Sequence, residues 1–274
     1  MSGKGAKMRK LLLTLLTMLM LSSAWAGPED DALNARMRKD YAAVIKIVRG
    51  PASKGEAWAQ AWVGDAYFKG EGVTQDYAGA FKWYGLAAKQ GDALAQFSLG
   101  VMYKDGLGVA QDYSEAIKWY RLAAQQENIK AQSDLGLMYA SGKGVEKNYA
   151  EAIKWFRLVA QQGDATAQNN LAIMYREGRG VVQDDYEAVK WFRIAAQQGL
   201  AAAQNNLGST YGNGKGVVQD YVKAHSWFNL GAAKGDEDAI RNRDIVAKRM
   251  TPKQVAEAQK IARDCQTRQF KGCD

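Results

Sequence analysis

The chain has 274 residues, and its 37 lysines and arginines exceed its 29 aspartates and glutamates by a formal net charge of +8. Four of these cations lie in the first ten residues, and the remaining 33 basic and 29 acidic residues leave a balance of +4. Most lysines recur singly along the chain among acidic residues, so a nucleic-acid partner is not expected. One histidine and two cysteines leave few groups for acid–base catalysis or for a metal.

The first 26 residues have the pattern of a secretory signal peptide. Four cations precede the apolar run 11–21, and small residues follow at Ala24 and Ala26. The run is too short to span a bilayer, so we expect cleavage after Ala26, with an uncleaved anchor as the alternative. No cysteine lies at the junction for a lipid anchor. In a bacterial source the mature chain is expected to be periplasmic or secreted, without a stable membrane anchor.

Beyond this segment the chain repeats itself every 36 residues without an insertion. The step carries a tryptophan, a tyrosine and a pair of glycines through five units between Gly55 and Lys234. The tryptophans are Trp83, Trp119, Trp155, Trp191 and Trp227. A period of this length indicates supersecondary units that bury their apolar faces only by stacking on their neighbours.

Each unit contains two amphipathic helical patterns, which we name helix A and helix B. In the second unit, helix A runs from Asp92 to Asp105 and helix B from Asp112 to Gln126, each with apolar residues on one stripe. The two glycines between them suit the turn after helix A, and Asp112 is a candidate N-cap. A glycine or alanine recurs in helix A, and we expect it to face the repeated tryptophan and tyrosine.

The array is closed at both ends by different segments. Asp40–Lys54 has the register of a helix B alone, so half a repeat opens the stack. After the fifth unit another helix A begins, but its register places polar residues where leucine and glycine belong. Thr251 and Pro252 then begin a last helix as N-cap and first helical residue, and that helix presents apolar residues to the stack. The predicted segments are 1–26 signal peptide, 27–54 lead-in and half repeat, 55–90, 91–126, 127–162, 163–198 and 199–234 repeats, and 235–274 capping helices and tail.

The residues of one unit resemble a known repeat. The pattern A-x-A-Q-x-x-L-G-x-M-Y-x-x-G-x-G-V-x-Q-D-Y-x-E-A-x-K-W-Y-R-x-A-A in 93–124 resembles the Sel1-like repeat, a relative of the tetratricopeptide repeat. The resemblance implies an all-α fold, a right-handed α-solenoid of 36-residue helix-turn-helix Sel1-like repeats. The chain departs from the pattern locally, for example with Ala172 for the helix glycine and Ser226 for a lysine.

Both cysteines, Cys265 and Cys273, lie near the C-terminus of a chain that we expect to be exported. An oxidising compartment favours a local disulfide between them. A reduced pair is an alternative. A metal site is disfavoured because two thiolates leave the coordination of zinc incomplete.

The sequence predicts no catalytic residue, no cofactor and no metal. His225 occupies a slot that is apolar in the other units, so we expect it to pack with its polar edge hydrogen-bonded. The repeated G-x-G follows helices rather than a strand, which favours a turn over a phosphate site. Some cysteine-rich Sel1-like proteins look like β-lactam-binding or β-lactam-hydrolysing proteins, but here the cysteine pair occurs once, and no S-x-x-K or K-T-G motif is present.

Comparison of the units separates slots that hardly change from slots that vary. The varying slots lie on one face of helix A, and in the similar tetratricopeptide repeats helix A lines the concave groove. The candidate partner-binding residues on this face are Trp58, Asp65, Phe68, Leu94, Phe97, Val101, Lys104, Asn169, Arg176, Asn205, Ser209 and Asn213. Exposed aromatic residues beside Asn and Arg suit a peptide or a partner helix. Unconstrained surface explains the variation equally well.

The expected function is therefore a non-catalytic exported scaffold for a protein or peptide partner. A cell-envelope protein that binds peptidoglycan or another glycan, and a secreted factor that acts on a host cell, are the alternatives. A β-lactam-binding or β-lactam-hydrolysing enzyme is the remote one.

Overall fold

The computed structural model describes residues 27–270 and 272–273, and all its regular structure in these ranges is helical. The expected signal peptide lies outside the described residues. Fourteen helices are found within them: α1 Pro28–Met37, α2 Tyr41–Ser53, α3 Ala57–Lys69, α4 Tyr77–Lys89, α5 Ala93–Asp105, α6 Tyr113–Gln125, α7 Ile129–Ser141, α8 Tyr149–Gln161, α9 Ala165–Glu177, α10 Asp185–Gln197, α11 Ala201–Asn213, α12 Tyr221–Ala232, α13 Glu237–Ala247 and α14 Pro252–Thr267. None of these helices is long and apolar enough to cross a membrane. The predicted all-α repeat fold is confirmed.

The chain divides into two compact units, which we describe separately. The N-terminal unit comprises residues 27–126 and the C-terminal unit begins at Glu127, where the third predicted repeat begins. Within each unit, helix A packs on helix B of its own repeat, and helix B packs on helix A of the next. In the N-terminal unit α3 and α5 are helices A, and α2, α4 and α6 are helices B. In the C-terminal unit α7, α9 and α11 are helices A, and α8, α10 and α12 are helices B.

Side-chain caps fix where the helices begin. The carboxylate of Asp112 accepts hydrogen bonds from the backbone N–H groups of Ser114 and Glu115, which confirms it as the N-cap of α6. The Ser114 hydroxyl also donates to this carboxylate. That bond lowers the pKa of Asp112 most, and the two backbone bonds lower it further. Thr251 and Gln254 form a reciprocal capping box at the start of α14. The capping residues identified in the sequence therefore have the predicted role.

The two glycines of each turn have different structural roles. Gly178 ends α9 with a φ of 65°, and its N–H donates to the carbonyl of Met174. Gly180 has a φ of 71°, and a Cβ there would lie 2.5 Å from the carbonyl carbon of Tyr149, the first residue of the preceding helix B. The first glycine therefore closes a helix, whereas the second lets one repeat approach the backbone of the one before it.

The residue after each repeated tryptophan, rather than the tryptophan itself, faces the small residue of helix A. A Cβ on Gly136 would lie 2.7 Å from the ring of Phe156. Phe156 is 1% exposed, while the neighbouring Trp155 is only partly buried. The expectation that the small residue faces a tryptophan is therefore wrong, whereas a tyrosine does face it in the first two units, where Gly64 meets Tyr84 and Gly100 meets Tyr120. On a helix the tryptophan and its neighbour point about 100° apart, so only one of them can face helix A.

A buried glutamine links successive repeats, and the sequence comparison gave it no role. In α9, Gln168 is 3% exposed and its Nε2 donates to the Ala160 carbonyl of the preceding helix B at 3.1 Å. Its Oε1 accepts from Nε2 of Gln198, at the end of the next helix B, at 2.7 Å. The same pairing joins Gln90 to Gln60. The Ala160 carbonyl also accepts from the N–H of Gly163, so Gln168 adds a second hydrogen bond there and links α8 to the end of α10.

The sequence suggested that the N-terminal half repeat is a helix B alone, but a further helix precedes it. Residues 41–53 form the expected helix B, but α1 precedes it and buries Ala32 and Ala35 against it. Arg36 of α1 forms an ion pair with Asp65 at 2.5 Å and lies over the ring of Trp62. The first helices of the array are thus joined by an additional helix and a partly buried ion pair.

The last helix, α14, packs against α12, the final helix B. It buries Ser226 and Leu230, whose register partners Lys82 and Leu86 are exposed on α4. A lysine at position 226 would lose its contact with water under α14, which explains the serine noted in the sequence. The hydroxyl of Ser226 donates to the Lys223 carbonyl at 2.8 Å. Cys265, near the end of α14, is joined by a disulfide to Cys273, which follows the helix.

Candidate functional site

In the N-terminal unit, α5 carries an apolar part of the helix A face. Leu94 is 55% exposed. One turn later the ring of Phe97 lies 5.7 Å from that of Tyr120, so this candidate is partly used in packing. Val101 follows at a half-buried position, and the carbonyl of Lys104 accepts from Gln111 Nε2 at the end of the helix. Leu94 is therefore the large apolar side chain that α5 presents to solvent.

The candidates on α3 are held by their neighbours. Nε1 of Trp58 donates to Glu56 at 2.8 Å. The ring of Phe68 contacts that of Tyr77 edge-on with centroids 5.3 Å apart. The carboxylate of Asp65 is 16% exposed and pairs with Arg36 and Lys69. These contacts give the three candidates structural roles, and Asp65 in particular holds α1.

Asp65 also acts on a buried tyrosine. The hydroxyl of Tyr84 donates to Oδ1 of Asp65 at 3.4 Å. Burial raises the pKa of Tyr84 well above its ordinary value, and the negative charge of Asp65 raises it further. Tyr84 is therefore a neutral hydrogen-bond donor at every physiological pH.

On α9 and α11 of the C-terminal unit the helix A face is polar and internally hydrogen-bonded. Arg176 donates to Oδ1 of Asn206 at 3.0 Å, and Nδ2 of Asn206 donates to Oδ1 of Asn169 at 2.9 Å. The guanidinium of Arg176 also lies over the ring of Phe192. Asn169 is only 7% exposed, so it positions Asn206 rather than meeting solvent. The sequence comparison missed Asn206, although the recurring Asn-Asn pairs at 169–170 and 205–206 signal it.

A small cavity lies at the end of this polar face. Ser209 and Asn213 of α11 line it together with Asn242 and Arg249, and its volume is about 140 Å³. Asn205 joins the same region, because its Oδ1 accepts from Nδ2 of Asn242 at 2.9 Å. The structure thus brings three sequence candidates together with residues of the C-terminal cap, which the repeat comparison could not align.

Two further apolar residues of the C-terminal unit lie on helix A. Ile129 and Leu137 of α7 are 43% and 47% exposed. Leu137 occupies the slot of Val101, one of the sequence candidates. The repeat register could have identified Leu137, whose slot varies between units, whereas Ile129 stands in a slot that holds alanine in the other four units.

His225 is placed as its apolar slot predicted. It is 2% exposed, and its Nδ1 lies 3.0 Å from Nδ2 of Asn229. Because the amide nitrogen donates, Nδ1 accepts and the ring proton is assigned to Nε2. Burial lowers the pKa of His225, and Arg243 lowers it further, against an opposing effect of Asp244. A neutral, packed imidazole results. Among the described residues, no three His, Cys, Asp or Glu side chains cluster as a metal site would require.

Comparison with known families assigns the repeats. The Sel1 repeat model matches five consecutive segments, 59–92, 93–128, 129–164, 165–200 and 201–236, which together make up more than half of the chain. The chain belongs to the Sel1 repeat family. Proteins with Sel1 repeats generally act as scaffolds for protein interactions and are typically non-catalytic. No match was found among curated proteins.

Several solved structures are similar to this chain. A Sel1 repeat protein from Oxalobacter formigenes is 31% identical and has a TM-score of 0.75, with 86% of this chain and 96% of that chain aligned. The protective antigen c5321 of uropathogenic Escherichia coli is 27% identical with a TM-score of 0.44, over 90% of this chain and 79% of that one. A Klebsiella pneumoniae protein described as a Sel1 repeat protein is 21% identical with a TM-score of 0.45, over 73% and 97%.

Proposed function

We propose that this Sel1 repeat protein is an exported, non-catalytic scaffold that binds a protein partner through the helix A face of its repeats. The observation that carries the proposal is the exposure of Leu94, a large apolar residue on a helix whose packing slots are already filled. Ile129 and Leu137 repeat this exposure in the C-terminal unit. Apolar side chains that the fold does not need are available to a partner.

The chemistry of the face favours a protein over a small substrate. Leucine and isoleucine beside phenylalanine offer apolar contact, and Arg176 with its asparagine partners offers hydrogen bonds in a fixed orientation. Partner helices and extended peptides use this combination of apolar anchors and ordered polar groups.

Export rests on two further observations. The first 26 residues carry the signal-peptide pattern, and α1 begins at Pro28, directly after the expected cleavage point. The disulfide between Cys265 and Cys273 suits an oxidising compartment such as the periplasm.

Charged substitutions on the helix A face test the scaffold proposal. The double variant Leu94→Asp, Leu137→Asp should lose the partners that wild-type protein captures from a periplasmic extract, while its melting temperature stays within a few degrees, because exposed substitutions cost about 0.5 kcal/mol or less. Quantitative mass spectrometry of the captured proteins gives the readout.

Leu122→Asp is the matched control, because Leu122 is 42% exposed on a helix B. It should leave capture unchanged. Capture that survives the double variant but not the control would assign binding to helix B instead. Cosedimentation of wild-type protein with purified peptidoglycan, unaffected by the double variant, would favour the envelope alternative.

Intact mass and thiol titration of protein from a periplasmic fraction test the export proposal. The mature chain should begin at Gly27, because Ala24 and Ala26 fit the small-residue pattern of the cleavage site. It should have no titratable thiol before reduction. A chain that retains Met1, or two reactive thiols in unreduced protein, would contradict export by a cleaved signal.

A further inference from the structure

Two matching grooves in the N-terminal unit lie along one face of helix B, and each is lined by the helices B of two successive repeats and by the helix A between them. One, of about 400 Å³, is lined by Phe81, Leu86, Leu99, Tyr103 and Trp119 around Gly85. The other, of about 340 Å³, lies 36 residues earlier in register and is lined by Ile45, Arg49, Val63, Tyr67 and Trp83. Both are largely apolar, and both have the size of a site for a bulky side chain.

In later repeats an arginine occupies the position of Gly85. In the C-terminal unit Arg157 donates to the hydroxyl of Tyr175 at 2.9 Å, and Arg193 donates to that of Tyr211 at 3.0 Å. In α4 the residue at this position is Gly85, and no atom lies within 4 Å of the place a Cβ would occupy. In α2 the residue is Arg49, which lines its groove without a hydrogen bond to the Tyr67 hydroxyl.

The rims of these grooves are basic. Neither α2 nor α4 contains an acidic residue, while α4 carries Lys82 and Lys89 at the edge of its groove. In later helices B the lysine in the Lys82 register pairs with a glutamate three residues earlier, as Lys154 does with Glu151. Gly79 replaces that glutamate in α4. Lys82 and Lys89 form no ion pair within the described part of the chain, so their charges are available to an outside anion.

The C-terminal unit shows what can cover this face. There α14, an amphipathic helix, packs on α12 and buries Ser226 and Leu230, the register partners of Lys82 and Leu86. Serine replaces lysine where the covering helix belongs to the same chain. The lysine that α4 retains calls for a covering helix of opposite charge.

We propose that α2 and α4 form a second docking surface, which binds an acidic amphipathic helix of a partner protein. An apolar side chain of that helix fills the groove over Gly85, and flanking carboxylates pair with Lys82 and Lys89. This surface lies on helix B and is separate from the helix A face of the proposed function.

Selection from a displayed library of random peptides tests this surface, with peptides of 16 residues, the length of α14. The enriched peptides are then synthesised, and their binding to the full mature chain is measured by fluorescence polarisation. Enriched peptides should combine acidic residues with an aromatic or branched aliphatic residue. Gly85→Arg, which installs the arginine of the later repeats, should weaken their binding at least about tenfold.

Two more variants complete the test. Gly85→Ala is the matched control and should bind as wild type, because its Cβ meets open space. The double variant Lys82→Glu, Lys89→Glu changes only exposed positions and should weaken binding to a similar degree, even if Gly85→Arg disturbs folding. Absence of enriched peptides, equal binding to all variants, or binding of anionic phosphatidylglycerol vesicles in place of acidic peptides would overturn the proposal.

Discussion

Replacing Gly180 by alanine should lower the free energy of unfolding of the C-terminal unit by about 2 to 5 kcal/mol. Left-handed backbone costs a non-glycine residue about 1 to 2 kcal/mol, and overpacking costs about 1 to 3 kcal/mol. Both costs apply here, because φ is 71° and the new Cβ would lie 2.5 Å from the carbonyl carbon of Tyr149 and 2.7 Å from the nitrogen of Ala150. Those are backbone atoms at the start of α8, so no rotamer change relieves the contact.

Gly178→Ala is the matched control in the same turn. Its φ is 65°, but the nearest atom to its Cβ would be a side-chain carbon of Gln183 at 3.3 Å. Only the backbone cost of about 1 to 2 kcal/mol should remain. Urea unfolding at constant m-value measures both variants. Equal losses would show that the close approach between repeats does not account for the second glycine.

The sequence predicted the helices because their signals are local and repeated. Five copies of one pattern locate each helix and each turn, and side chains such as Asp112 and Thr251 mark the first residues of helices by a short-range hydrogen bond. The terminal cap α14 was found for the same reason. The missed helix α1 has one copy, a weakly amphipathic sequence and a glycine at its N-cap, so no such pattern singled it out.

Contacts between helices were harder to derive. When two neighbouring residues both recur every 36 residues, the period does not show which of them makes the contact. Trp155 and Phe156 both recur every 36 residues, and only the packing shows which of them meets Gly136. Gln168 recurs equally well, but its partner Ala160 lies in α8 and its partner Gln198 directly follows α10.

The variable slots of helix A were only partly informative about the candidate site. Variation identified the exposed Leu94, but it also selected Asp65 and Asn169, which are held by partners outside the aligned slots. Arg36 lies in α1, and Asn206 lies in a slot the comparison did not examine. A slot can therefore vary because its side chain has different packing partners in different repeats. Variation alone does not show that a residue is exposed, and the structure is needed to establish that.

Phe156→Ala should lower the free energy of unfolding of the C-terminal unit by about 3 to 5 kcal/mol, as expected for a buried phenylalanine. The ring is 1% exposed and fills the space left by Gly136, so its removal creates a cavity between α7 and α8. Trp155→Ala, one residue earlier, should cost less because that side chain is partly exposed. Chemical denaturation of the two variants shows directly which side chain contributes more to the free energy of unfolding.

A double-mutant cycle then tests whether Gly136 and Phe156 form one packing unit. Gly136→Leu alone should destabilise the C-terminal unit, because even a Cβ would lie 2.7 Å from the ring and overpacking costs about 1 to 3 kcal/mol. In the Phe156→Ala background the same leucine enters the cavity, so it should restore part of the lost stability. Residues in contact show coupling energies of about 0.5 to 3 kcal/mol, whereas additive losses would mean that helix A and helix B are not held by this pair.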